Sequence, residues 1–361
     1  MNRSNPAPLP SLFAEVAPDL VIPDPYDAPE LRWGILGAGG IARTFATDVP
    51  AHSGQKIAAV GSRDILRARA FAAEMGIPAE SAYGSYEELV ADPSIDAIYV
   101  ATPHMRHRDD AILALRAGKP VLVEKSFATS VAEVEEVFAV AQEQKLFAME
   151  AMWSRHLPHY HFIRAAIEGG VLGKLVEVSA DHGQQLLHIP RLVEPELAGG
   201  AMLDLGVYPV SLVHMALGVP MKQSALGRLT DSGVDLGDVV VGQYADALSV
   251  ATCQMDGASS VHAILTFEKG TIEMPQQFYR PTKVTLTVHS VEANTGQILS
   301  SSTEDWDAVV PGGFQYQAAE AARRIAAGDL ESPVVPWSAT LEVQRIMNDA
   351  LAQVGVRYPQ F

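Results

Sequence analysis

Leu31-Arg32-Trp33-Gly34-Ile35-Leu36-Gly37-Ala38-Gly39-Gly40-Ile41-Ala42 is the stretch whose reading decides the fold. An apolar run from Trp33 to Leu36 breaks at the glycines and continues into a helix-compatible segment, so it predicts strand, tight turn and helix start. That is the context in which the glycine pattern becomes a dinucleotide fingerprint. Gly37 permits the turn, Gly39 lets the backbone approach a pyrophosphate, and Ala42 allows close packing of helix on strand. With Gly40 and Ile41, these residues open a helix whose first N–H groups lack intrahelical partners and suit an anion. The spacing taken alone also fits a glycine turn that binds nothing.

Outward from this stretch, strand and helix alternate. Strands are expected at 56–63, 97–101, 121–123 and 147–149, and helices at 65–75, from about 85 to 92, at 108–117 and at 131–144. Such alternation implies a parallel sheet covered on both faces, and the right-handed crossover rule makes it doubly wound. Beyond residue 150 the strand candidates at 175–182, 239–244, 247–254, 259–267, 270–274 and 284–288 mostly lack intervening helices, which predicts an open, largely antiparallel sheet. Helices are expected at 162–169, 208–217, 315–327 and 338–354. The expected organisation is a Pro-rich arm over 1–30, a Rossmann domain over 31–150, an α+β substrate and dimerisation domain over 151–335, and a C-terminal helix over 336–361 that packs back on the core. The fold class is therefore α/β.

Composition narrows the function. A chain of 361 residues with a formal charge of −17 and no long basic run excludes a nucleic-acid surface, because phosphate contacts need clustered Lys and Arg. One cysteine, Cys253, excludes an internal disulfide and reads as a small buried apolar group in a reducing cytoplasm. No window reads as a bilayer span or secretory signal, so no membrane partner is expected. The seven prolines of residues 1–30 predict an arm that is disordered or lies extended on a surface, that of a partner subunit included.

At the end of the second strand an acidic residue would bond the ribose 2′-hydroxyl of NAD, whereas a small residue beside an Arg makes room for the 2′-phosphate of NADP. Ser62 holds that position, followed by Arg63 and Arg67, so NADP is favoured over NAD. Asp64 falls one place too late, and both arginines also fit ordinary solvated charges.

Ala101-Thr102-Pro103-His104-Met105-Arg106-His107 and Val123-Glu124-Lys125-Ser126, with the first turn, resemble the glucose-fructose oxidoreductase, inositol dehydrogenase and MocA (Gfo/Idh/MocA) family. Three further stretches, Ala82 to Leu89, Met149 to Arg155 and Gly199 to Tyr208, together with Glu331 to Pro336, are most similar to its dimeric dihydrodiol dehydrogenase and NADP-linked D-xylose dehydrogenase branch. The resemblance implies hydride transfer between a nicotinamide cofactor and a sugar or other cyclic alcohol, in a homodimer or larger homo-oligomer built through the C-terminal sheet. It places Lys125 and Tyr208 at the reacting carbon, with Asp204 bonding a substrate hydroxyl or Lys125, or else capping a helix. Thr102, Pro103, His104, His107 and Glu124 join the cofactor site, and Trp153, Arg155 and His188 are candidates for the substrate pocket. Ser126 replaces the motif's proline. A polyol or inositol dehydrogenase, a keto-sugar reductase and a non-catalytic dinucleotide-binding regulator are the alternatives.

A tyrosine with its ordinary pKa of about 10 is a poor base at neutral pH, and a cationic lysine beside it favours the phenolate. Two other patterns are set aside. His156, His159 and His161 lack the spacing and companions of a metal site, so no metal is expected. Tyr279-x-x-x-Lys283 is interrupted by Pro281 and lies among strands rather than on one helix.

Overall fold

The computed structural model describes residues 5–358; residues 1–4 of the expected arm and 359–361 at the C-terminus lie outside them. The chain forms two compact units. The first comprises Pro23–His156 and Pro311–Gln344, and the second comprises Asn5–Ile22, Leu157–Val310 and the chain from Arg345 onward.

The first unit holds a six-stranded parallel sheet of β1 (Arg32–Leu36), β2 (Lys56–Gly61), β3 (Ala82–Tyr83), β4 (Ala97–Val100), β5 (Val121–Glu124) and β6 (Ala148–Ala151), in the order β3-β2-β1-β4-β5-β6. This is the doubly wound order, whose reversal point lies between β1 and β4. β4, β5 and β6 are buried along their whole length, which is why they read as continuous apolar runs rather than alternating ones. Local chemistry sets the helix starts. Asp64 accepts from the Leu66 N–H at 2.8 Å to begin Ile65–Met75, and Ser130 caps Val131–Gln144 through Glu133 N–H. Gly76, with φ +71°, ends the first of these.

The boundaries differ from the sequence expectation at the C-terminal side. Residues 311–335 belong with the first unit, not with the second domain. Trp337 stacks on Phe138 with ring centroids 4.9 Å apart and donates its indole N–H to the Ala148 carbonyl at 2.8 Å, while Ala148 N–H bonds Leu330 O. These are contacts between distant segments, so no local pattern announces them.

In the second unit an eight-stranded sheet runs β14-β13-β12-β11-β7-β10-β9-β8. Its strands are β7 (Leu175–Gly183), β8 (Lys222–Leu229), β9 (Asp235–Gln243), β10 (Leu248–Gln254), β11 (Ala263–Phe267), β12 (Gly270–Met274), β13 (Lys283–Val291) and β14 (Ile298–Asp307). Neighbours are antiparallel except β7 and β10. The two strands that sequence reading missed, β8 and β14, are the sheet's edges. β14 buries only Trp306, so it lacks the alternation that marks a half-buried strand. The strand expected from 259 starts only at Ala263, because Val261 takes a left-handed φ of +56°. On one face of the sheet Leu226, Val239 and Val241 stand 79%, 40% and 41% exposed.

Residues 11–16 overturn the reading of the N-terminal arm as disordered. They form a short helix whose Phe13 is wholly buried, 4.7 Å from the Phe162 ring and 5.8 Å from Trp306, with Ser11 Oγ and Leu12 N–H both donating to Glu304. Phe13 and Val16, one turn apart, bury enough apolar surface to dock the segment despite its prolines. A second correction concerns Pro195–Leu217, which does reach the apolarity of a bilayer span, with a mean hydropathy of 1.3 in its most apolar window. That window is 83% buried inside the protein, where helix Val207–Leu217 is apolar on all sides because it is a core helix.

Candidate active site

In the first unit the predicted cofactor residues gather at the carboxyl ends of β1, β2, β4 and β5. Gly37 has φ +100°, and a Cβ there would lie 2.7 Å from the Ala101 carbonyl, so the glycine turn and the loop after β4 meet at the reversal point. Gly39 precedes helix Gly40–Ala51, which carries Ile41 and the buried Ala42, and the Cβ positions of Gly39 and Gly40 face open space. A phosphate could approach this backbone. Ser62 is buried at the end of β2 and its hydroxyl accepts from Asp64 N–H at 3.3 Å. Asp64 is engaged as a helix cap, and Arg63 and Arg67 stand exposed beside Ser62. The charges of Arg63, Arg67 and Arg106 all act on the Tyr86 hydroxyl, so three cations cluster here.

The loop Thr102-Pro103-His104 leads into helix His107–Arg116. His107 is buried, with Nδ1 2.8 Å from the Ser126 carbonyl and Nε2 2.7 Å from the Thr102 carbonyl, and burial lowers its pKa. Its ring sits between the two loops that follow β4 and β5 and, in the neutral form, donates to one of these carbonyls. Ser126, which carries one of them, stands where the family motif has proline. Glu124 is buried and accepts from the Tyr99 hydroxyl and, at 3.2 Å, from the Lys125 N–H; burial pushes its pKa up to about 7. Lys125 is half-buried, and its charge acts on Glu124, Glu150 and His107. Trp153 stacks on Phe314 at 4.5 Å, and Arg155 is buried beside Glu150, so both have partners within this unit.

In the second unit Met202–Gly206 forms a π-helical turn that runs directly into helix Val207–Leu217. Asp204 lies within this turn rather than at a cap, and Arg191 Nη2 donates to its Oδ1 at 3.0 Å. Tyr208, in the first turn of the helix, joins a ring cluster with His182 at 5.3 Å and Tyr279 at 4.5 Å; His182 and Tyr279 stack at 4.4 Å. His182 Nδ1 donates to the Leu205 carbonyl at 3.2 Å, which leaves Nε2 to accept from the Gln184 amide at 2.8 Å. Burial raises the Tyr279 pKa and keeps its hydroxyl protonated. His188 is exposed in the irregular chain that follows β7.

Residues 31–152 match the oxidoreductase family with an NAD-binding Rossmann fold, and 160–273 match the GFO/IDH/MocA C-terminal domain. Over 335 residues the chain is 36% identical to trans-1,2-dihydrobenzene-1,2-diol dehydrogenase of Mus musculus, covering 91% of this chain and 98% of that protein, and 35% identical to its Homo sapiens counterpart. The chain belongs to the Gfo/Idh/MocA oxidoreductase family. Solved structures share the fold of this Gfo/Idh/MocA enzyme: aldose-aldose oxidoreductase from Caulobacter crescentus complexed with glycerol, with a TM-score of 0.79 at 21% identity over 90% of this chain and 98% of that one, and a 3-ketoreductase from Actinomadura kijaniata in complex with NADP, with a TM-score of 0.73 at 24% identity over the same shares.

Sequence reasoning passed over Tyr279, His182, Gln184 and Arg191. Tyr279 was set aside because its spacing to Lys283 suits one helix. The segment is indeed a loop leading into β13, yet that loop delivers the ring to Tyr208. The histidine group of the oxidoreductase has a related structural part. His159 Nε2 donates to the Phe278 carbonyl at 2.8 Å, which anchors the residue before Tyr279, and burial holds the His159 pKa down to about 4. Among the described residues no three or more His, Cys, Asp or Glu side chains form a metal-binding group.

Glu124 yields a pH signature. A carboxyl raised from 4.5 to about 7 in the folded protein favours the protonated form there, so its contribution to stability is lost as pH rises across that window. Glu124→Gln is expected to flatten the dependence of the thermal midpoint on pH between those values and to melt above the wild type at pH 8. Identical profiles for the two proteins would refute the assignment.

Proposed function

We propose that this enzyme oxidises a sugar, dihydrodiol or other cyclic secondary alcohol with NADP as the preferred hydride acceptor. The observation that carries the reading is the 36% identity to the trans-1,2-dihydrobenzene-1,2-diol dehydrogenase of Mus musculus, a match that covers 91% of the chain. Gly37, Gly39 and Gly40 would cradle the pyrophosphate at the helix N-terminus, and Ser62 with Arg63 and Arg67 would take the 2′-phosphate. The open Cβ positions at Gly39 and Gly40 and the cation cluster around Tyr86 fit that group. When bound, the nicotinamide supplies the redox chemistry, as the place where the substrate hydride goes.

The protein's part is to orient the alcohol and take its proton. Tyr208 receives the hydroxyl proton and Lys125 supplies the positive charge that favours the phenolate. The part-exposed Tyr279 ring beside Tyr208, backed by the buried His182, offers an aromatic surface to a ring, and Asp204 with Arg191 offers an acceptor and a donor for neighbouring hydroxyls. The protein works as a homo-oligomer, the exposed apolar row of Leu226, Val239 and Val241 being the surface a second copy would cover. Its compartment is the cytoplasm.

Lys125→Met and Tyr208→Phe should each cut turnover by about 100-fold or more while NADPH binding, followed by cofactor fluorescence, persists. Normal turnover in Tyr208→Phe removes the proton-transfer assignment, and cofactor binding with no turnover on a panel of pentoses, hexoses and dihydrodiols would favour a regulator. Arg63→Ala is expected to raise KM for NADP about ten-fold and leave KM for NAD nearly unchanged; equal effects on both would count against the phosphate contact. Val241→Lys should shift sedimentation equilibrium from an oligomer to the monomer, and a monomeric wild type would end the oligomer proposal.

A further inference from the structure

Two carboxyl groups with no part in the function proposed above lie buried behind the turn that carries Asp204. Asp235 and Asp238 are 0% and 3% exposed, and three residues apart on a regular strand they would face opposite sides of the sheet. The pairing of β8 with β9 explains why they do not. Arg228 pairs with Gly237 while the next residue, Leu229, pairs with Asp235, so Leu236 is an extra residue and the bulge turns Asp235 onto the face of Asp238.

Space is made for both groups. Gly200 has φ +123°, and a Cβ there would overlap Asp235 Oδ1; a Cβ at Gly227 would overlap Asp238 Oδ1. Neither Oδ1 has a donor among the described residues, and the two carboxyls face each other closely enough for each to act on the other. Two buried carboxylates side by side repel, and a proton on one of them removes that repulsion. The remaining contacts run to the π-helical turn. Asp235 Oδ2 accepts from the Met202 N–H at 2.5 Å, the first residue of that turn, and Asp238 Oδ2 accepts from Cys253 Sγ at 3.7 Å, beside Gly206.

We propose that Asp235 and Asp238 share one proton and together form the positioning element for the turn that presents Asp204 and Tyr208, a role that rests on the assignment of those residues in the proposed function. Burial, with the charge of Asp235 close by, raises the Asp238 pKa and keeps that carboxyl the donor at neutral pH. The proton on Asp238 lowers the cost of burying the Asp235 charge, and Asp235 accepts from the first N–H of the turn. The double glycine at 199–200 is part of the same arrangement. Gly200 gives Asp235 its space, and the Gly199 carbonyl accepts from the Tyr358 hydroxyl at 2.8 Å.

The test compares Asp238→Asn, whose amide can donate to Asp235 without a proton, with Asp238→Ala and Asp235→Ala. Amide hydrogen exchange at Met202 to Tyr208 should quicken in both alanine variants and stay at the wild-type rate in Asp238→Asn. In the full enzyme with NADP, the alanine variants should lose about 100-fold in kcat, with KM for NADP unchanged. Wild-type exchange in Asp238→Ala overturns the proposal, as does an Asp238→Asn protein as impaired as Asp238→Ala. If Asp235→Ala does not fold, the two Asp238 variants decide the matter alone. Exchange is read without substrate, so it separates failure of this proposal from failure of the Tyr208 assignment, which shows instead as full turnover in Tyr208→Phe.

Discussion

At Gly37 the chain turns with φ +100° so close to the Ala101 carbonyl that no side chain fits between them. This approach joins the ends of β1 and β4 at the place where the strand order reverses, and it leaves the next helix with exposed N–H groups and open space above Gly39 and Gly40. The rest of the first unit keeps that opening in shape. His107 sits between the carbonyls on either side and donates to one of them, Glu124 holds the Lys125 N–H, and the sheet beneath is buried on both faces. Polar groups are spent here on positioning backbone, which is affordable only because each has a partner.

The second unit solves a related problem with acid groups. A π-helical turn has irregular backbone that needs external partners, and the one at 202–206 finds its acceptor in a carboxyl from a neighbouring strand. The cost of burying that charge falls when a second carboxyl supplies a proton, and a strand bulge brings the two together. On the same turn Asp204 is paired to Arg191, and His182 reads the Leu205 carbonyl. Tyr208 thus follows a segment fixed at several points.

The histidine-rich segment shows how one composition can point in two directions. Three histidines within six residues suggest a metal at first sight, but Pro158 begins a helix, and His159 enters the interior to hold the Phe278 carbonyl. The loop so anchored brings Tyr279 against Tyr208. A ring that is unpromising by spacing becomes part of the site through a hydrogen bond made by a residue from another element.

By itself the sequence determined the glycine turn, the parallel sheet and the family motifs around Lys125 and Tyr208, because each is written in neighbouring residues: an apolar run, a strand and helix in alternation, a glycine where φ is positive. Tertiary structure alone decided the rest. It returned residues 311–344 to the first unit, docked the Pro-rich arm through Phe13, made edge strands of β8 and β14, and turned Asp235 beside Asp238. Those outcomes depend on contacts between residues far apart in the chain and on one extra residue in a strand, and a pattern of period two or 3.6 carries no record of either.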